Sequence, residues 1–224
     1  MRKFCLTIIV LAGFSKALFA QFGNCTASEM QTYTDRETGN TITILTDTLK
    51  NDRFLYQTDP MWTHDGKYLL FRSSSRANDK KIERTLPNGE KRSWTPTQIY
   101  FIEMATGQII QATEGPDLGS AFLANKSNRM FISRKEKEDW NMYVMDLDKF
   151  FADVKKGKVG KPTAYETLLG TFPTSMGRPG GYAIDCNDDY AYITVEREGT
   201  EEEKERMAKN AFFCLLYTSP SPRD

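Results

Sequence analysis

The sequence predicts an all-β fold built from repeated four-stranded units, and three observations predict it. The segment Trp62-Thr-His-Asp-Gly-Lys-Tyr-Leu-Leu-Phe71-Arg-Ser73 recurs sixty residues later, from Phe122 to Ser133. It recurs again after a further sixty-one, from Ala183 to Thr194. Each copy is an apolar strand, a polar Asp/Asn/Gly turn and an alternating apolar strand, which is a hairpin pattern. A second unit follows the first two hairpins: Ile99-Tyr-Phe-Ile-Glu103 and Met142-Tyr-Val-Met-Asp146 carry tyrosine at the same place. The first of these leads through Ala105-Thr106-Gly107-Gln108 into Ile109 to Thr113, and Glu37-Thr38-Gly39-Asn40 before Thr41 to Thr46 repeats that turn and strand. Four short antiparallel strands, A to D, repeated at roughly 40–60 residues, define a β-propeller. A generic β-sandwich would not reproduce the matched turns.

The repeats divide the chain. Residues 30–46 supply an outer strand that would close a ring against its last blade. Residues 56–113 make one blade, 118–170 a second and 180–213 an unfinished third. In a propeller the A–B and C–D turns share one face, and the B–C loops and blade links share the other. The long B–C inserts are Ser74 to Thr97, Arg134 to Trp140 and Glu196 to Phe213, and Glu201 to Lys209 has the composition of a helix. Elaborated loops on one face place function on that face. The alternating aromatics Trp62, Phe71, Tyr100, Phe122, Phe131 and Tyr143 are the expected inter-blade core.

Both ends lie outside this pattern. Arg2-Lys3 precede an apolar run from Phe4 to Phe14, and Ala17-Leu-Phe-Ala20 offers a small residue for cleavage. The run is too short to cross a bilayer of ~30 Å, so residues 1–20 are expected to be a cleaved signal peptide. That places the mature protein in the periplasm or outside the cell, with no membrane association after cleavage near Ala20. The last residues, Cys214 to Asp224, match the translation of a transposase-type sequencing adapter letter for letter. They are expected to be foreign to the gene and to contribute no structure, leaving 21–213 as the genuine mature portion of a longer chain.

Composition narrows function. Charged residues make up 27% of the chain with no formal net charge, and no basic stripe offers the phosphate neutralisation that nucleic-acid binding needs. Lys155-Lys156-Gly157-Lys158 to Lys161 is expected to be a solvated turn. With the two ends set aside, Cys25 and Cys186 remain, either as a disulfide or as two free thiols. No Cys-x-x-Cys or His-x-x-x-His spacing marks a zinc site.

The combination of Asp35-x-x-Thr38-Gly39, Leu55-Tyr56-Gln57, Thr63-x-Asp65-Gly66-Lys67-x-Leu69-Leu70-Phe71, Gln111-Ala112-Thr113-Glu114-Gly115 and Phe122-Leu123 resembles the oligogalacturonate lyase (pectate lyase 22) family of TolB-like propellers. The resemblance spans residues 30–213. It implies a seven-bladed parent that cleaves oligogalacturonides by metal-assisted β-elimination in pectin breakdown, with Mn²⁺ held by a histidine cluster and a glutamine in later blades. No residue here matches those ligands, so no metal site is expected in this chain and the catalytic residues are expected in blades beyond it. The family's histidine before Tyr56-Gln57 is replaced by Asn51-Asp52-Arg53.

Position alone then selects Tyr56, Gln57 and Asp59, ahead of the first inner strand, and Arg178, ahead of the third, as candidate substrate-binding residues. An arginine there would pair bidentately with a galacturonate carboxylate. His64, the only histidine, sits in an A–B turn and reads as a turn residue. Two other readings stand beside the lyase: the propeller of a prolyl-oligopeptidase-like peptidase, requiring a downstream Gly-x-Ser-x-Gly elbow, and a non-catalytic TolB-type binding propeller.

Overall fold

The structure, a computed structural model, describes residues 21–57, 59–77, 81–85, 89–115, 118–137, 139–172, 178–196 and 217–218. The expected signal peptide, the 201–209 helix and most of 214–224 lie outside the described residues.

Two repeat units form sheets in chain order. The first sheet is built on β4 (Asp52–Arg53), β5 (Tyr68–Ser73), β8 (Gln98–Glu103) and β9 (Ile109–Gln111), and β1 (Cys25–Thr26) adds a fifth strand beyond β9. The second is a four-stranded meander of β10 (Leu118–Leu123), β11 (Arg129–Glu136), β12 (Asp139–Asp146) and β13 (Glu166–Phe172). A third contains β14 (Arg178–Ile184) and β15 (Tyr190–Glu196). Two hairpins stand apart: β2 (Gln31–Thr34) with β3 (Thr41–Ile44), and β6 (Ile82–Thr85) with β7 (Lys91–Trp94). Every strand pair is antiparallel.

The alternation of side chains along each strand tells how the sheets stack. From β5 and β8, Tyr68, Leu70, Ile99 and Phe101 face the second sheet, where Ala121, Leu123, Met130, Ile132 and Met145 complete one core. The intervening Phe71, Tyr100 and Ile102 point the other way, with Ile109, and meet Met30 and Leu45 flanking the N-terminal hairpin. The far face of the second sheet presents Met142 and Phe172 to Ala191, Tyr182 and Ile184 of the third. Three sheets therefore pack face to face in sequence, with Met30 and Leu45 beside the N-terminal hairpin covering the outer face of the first.

The turns match as the repeats predict. Gly39 and Gly107 both have φ near +70° (72° and 73°), and each donates its N–H to the carbonyl four residues back, Asp35 or Glu103. Glycine is needed at 107 on two counts, since a Cβ there would also collide with the Ser28 side chain. The β2–β3 hairpin is thus the C–D pair of a blade whose remaining strands are not among the described residues. On the same face, the A–B turns link one blade to the next. His64 Nδ1 lies 2.9 Å from the Asn125 carbonyl. Asp188, itself at φ 63°, accepts from the N–H groups of Asn125 and Lys126. Asp65 is held near pKa 2: against the cost of burial, bonds from Lys67 and Thr63 keep it ionised.

Several expectations need correction. Arg134 to Trp140 is not an insert: β11 and β12 continue through it to a tight turn at Lys137, pairing Arg134 with Asn141 and Glu136 with Asp139. Across these strands Arg134 forks onto Glu166 at 2.9 and 3.0 Å, with the guanidinium over the Tyr143 ring. Strand A of the first blade is broken. Trp62 bridges Leu69 and Arg53 pairs with Arg72, while residues 54–60 leave the ladder. Pro60 explains part of this, because it has no N–H to donate. Trp62, on that broken edge, is 46% exposed, and Phe122 and Tyr143 are only half-buried, whereas Phe71, Tyr100 and Phe131 are buried as expected. Residues Tyr217–Thr218, expected to lack structure, pair as a short strand, β16, with Tyr190 and Ala191 of β15. An open sheet edge offers unpaired donors and acceptors to any extended segment. Cys25 and Cys186 are both exposed and free.

After β12 the chain forms helix α1 (Leu147–Lys155), with Asp146 as N-cap accepting from the Lys149 N–H at 2.9 Å. Its Leu147, Phe150, Phe151 and Val154 close the core between the first and second sheets. The expected lysine turn begins as the end of this helix and turns at Gly157, φ 64°.

Candidate functional site: a cleft between the first two sheets

The link between the first two sheets is fixed by a buried polar network. Gln98 accepts from the Thr113 hydroxyl and donates to the Gly115 carbonyl, at 2.8 and 2.6 Å. Thr113 Oγ1 accepts from the Ile99 N–H, and its carbonyl accepts from Gln111. These bonds set the spacing between β8 and β10, and a cleft of about 550 Å³ opens there. It lies at the B–C face, the face on which the sequence places function. Ile99 and Ala121 belong to its floor, Trp94 and Pro96 come from the B–C insert, and Arg53 and Arg72 enter from β4 and β5.

The two arginines are cross-strand partners in the β4–β5 ladder and both are exposed. Strand alternation sends Asp52 to the opposite face of β4. There Arg76 takes it, with Nε and Nη2 at 2.8 and 2.6 Å from its carboxylate. The same guanidinium holds Glu29 at 2.9 and 2.6 Å and lies over the Phe71 ring. The local carboxylates are thereby drawn away from the cleft. Among the described residues neither Arg53 nor Arg72 has a side-chain hydrogen bond or ion pair.

The four residues selected by position lie elsewhere. Tyr56, Gln57 and Asp59 are in the 54–60 excursion on the inner edge of the first sheet; Tyr56 is 68% exposed and the Asp59 N–H closes a turn on the Tyr56 carbonyl at 2.8 Å. Arg178 opens β14 opposite Glu196. Tyr56, Gln57 and Asp59 do not line the cleft. Sequence reasoning missed Arg53 and Arg72 as a pair because only the ladder register brings them together.

The described residues do not bring together a donor set for manganese. Among the described residues no three His, Cys, Asp or Glu side chains converge as ligands, and the chain's single histidine is engaged in its turn. Among the described residues, no helix is long and apolar enough to cross a membrane.

Successive antiparallel sheets stacked face to face, with matched turns on one rim and a cleft on the other, define part of a β-propeller. The same fold is present in solved oligogalacturonate lyases. One, solved in complex with manganese, is 18% identical with a TM-score of 0.52, over 78% of this chain and 38% of its own. Another, from Vibrio parahaemolyticus, is 19% identical with a TM-score of 0.54, over 82% of this chain and 41% of its own. The chain thus spans about two fifths of these structures. No protein-family model and no curated protein matches it.

Proposed function

We propose that this chain is the N-terminal part of an exported oligogalacturonide lyase, acting in pectin breakdown, whose catalytic residues lie in further blades. The observation that carries this reading is the likeness in fold to lyase structures over four fifths of the chain but only two fifths of theirs. It agrees with the motif combination in the sequence.

The chemistry divides accordingly. In β-elimination a base removes the proton beside the sugar carboxylate. The C–H electron pair becomes the new C=C bond as the glycosidic C–O bond breaks, and the departing oxygen gains a proton. The charge that builds on the carboxylate needs a cation, and Mn²⁺ in the parent supplies one. The residues of this chain contribute substrate positioning: Tyr56, Gln57 and Asp59 in the 54–60 excursion of the first sheet, Arg178 at the start of β14, and, separately, the residues of the cleft between the first two sheets. A signal peptide at 1–20 and foreign residues at 214–224 belong to the same proposal.

The complete protein is expected to release unsaturated products from di- and trigalacturonate, read as ultraviolet absorbance, and to lose this activity on chelation and regain it with Mn²⁺. A complete protein inert toward these substrates would overturn the assignment.

A further inference from the structure

We infer that Arg53 and Arg72 form a two-pronged clamp for the carboxylate of an acidic sugar unit bound in the cleft between the first two sheets. The ligand class rests on the lyase reading; the anion-binding character rests on the geometry alone. Directly opposed residues on an antiparallel pair have Cβ atoms about 4.5–5.5 Å apart, and like charges there are unfavourable. The sequence nevertheless places arginine at both positions. The neighbouring carboxylate, Asp52, is held in a salt bridge with Arg76 on the other face. The β6–β7 hairpin also opposes two arginines, Arg84 and Arg92, so what sets Arg53 and Arg72 apart is the cleft that both of them line. Each guanidinium is a planar fork matched to a carboxylate. Both line a concave site walled on one side by Trp94, an aromatic surface of the size of a sugar ring, and by the backbone of Gly119 and Ser120. A cleft of about 550 Å³ is within the range that holds a small oligosaccharide segment.

The test is calorimetric binding to the complete protein, with trigalacturonate, neutral galactotriose and inorganic phosphate as three ligands. Arg53→Gln and Arg72→Gln are each expected to weaken trigalacturonate binding about 10–100-fold. Arg53→Lys keeps the charge without the fork and is expected to fall between. Arg36→Gln, in the exposed β2–β3 turn, is expected to bind as the unaltered protein does. Without ligand, Arg72→Gln is expected to raise the melting midpoint by about 1–3 °C as the like-charge pair is relieved, which also shows that the variant folds. Unchanged trigalacturonate affinity in both glutamine variants would overturn the clamp. So would phosphate binding as tightly as trigalacturonate with the same dependence on both arginines, which would mark a general anion site. Arginine-dependent binding without turnover would uphold the clamp and sink the lyase reading. Turnover with unchanged binding in the variants would do the reverse.

Discussion

Replacing Phe150 by alanine is expected to destabilise the complete protein by about 3–5 kcal/mol. The ring is fully buried and sits where three parts of the chain meet. Its centroid is 5.0 Å from Phe22, 5.5 Å from Tyr165 and 5.4 Å from Phe151. Phe22 comes from the segment before β1, Tyr165 from the approach to β13, and Phe151 stacks in turn on Tyr68 of β5 at 3.6 Å. Truncation leaves a cavity that none of these can fill without leaving its own contacts, because each is anchored on a different element. Tyr165 is further tied by its hydroxyl, which accepts from the Gly160 N–H and donates to Asp153. Denaturant unfolding followed by tryptophan fluorescence measures the loss. A cost below about 1 kcal/mol would mean that α1 is not part of the core that joins the first two blades.

Arg76→Met is expected to cost about 3 kcal/mol at neutral pH, with the hydrophobic stem kept over Phe71. The arginine side chain is 6% exposed and neutralises two carboxylates, Asp52 at 10% and Glu29 at 23%. Removing one partner of a buried ionic group leaves the others desolvated and unpaired, which costs more than the group contributed when intact. The pH dependence separates this from a packing defect. Hydrogen bonding from Arg76 holds the Glu29 pKa below its usual value. A lowered folded pKa contributes stability that is present above the unfolded value and lost as pH falls through the folded one. The deficit of the variant is therefore expected to be full above about pH 5 and to shrink below about pH 4, as Glu29 protonates in both proteins. A deficit constant over that interval would show that the arginine acts through packing alone.

Much of this architecture is written locally. The recurrence of Trp62–Ser73 at Phe122 and Ala183 marks the A–B hairpins, and Thr38-Gly39 and Thr106-Gly107 mark the C–D turns, because tight turns impose residue types that survive as pattern. The helix was also legible. Asp146 followed by Leu147, Phe150, Phe151 and Val154 is a capped amphipathic pattern of about two turns. Pro87-Asn88-Gly89 likewise signalled the β6–β7 hairpin inside the first insert. The cleft is different. Arg53 and Arg72 are ordinary in their own segments, and what gives them meaning is the register that opposes them and the Arg76 bridge that takes Asp52 away. Such pairings depend on where a broken strand rejoins its sheet, and no local pattern encodes that. The exposure of Trp62 has the same origin, since it lies on the edge where strand A is interrupted.

The measurement that bears most directly on the account is turnover of trigalacturonate with Mn²⁺ by residues 21–213 alone, beside the complete protein. β-Elimination needs a base, a cation at the carboxylate and a positioned substrate, and groups that act as a unit lose nearly everything when part of the unit is missing. On the proposed reading this chain contributes positioning through its cleft, and its described residues bring together no metal donor set. Metal-dependent release of unsaturated product is expected from the complete protein and none from residues 21–213. Metal-dependent turnover by residues 21–213 would contradict it, by placing the chemistry within the blades described here.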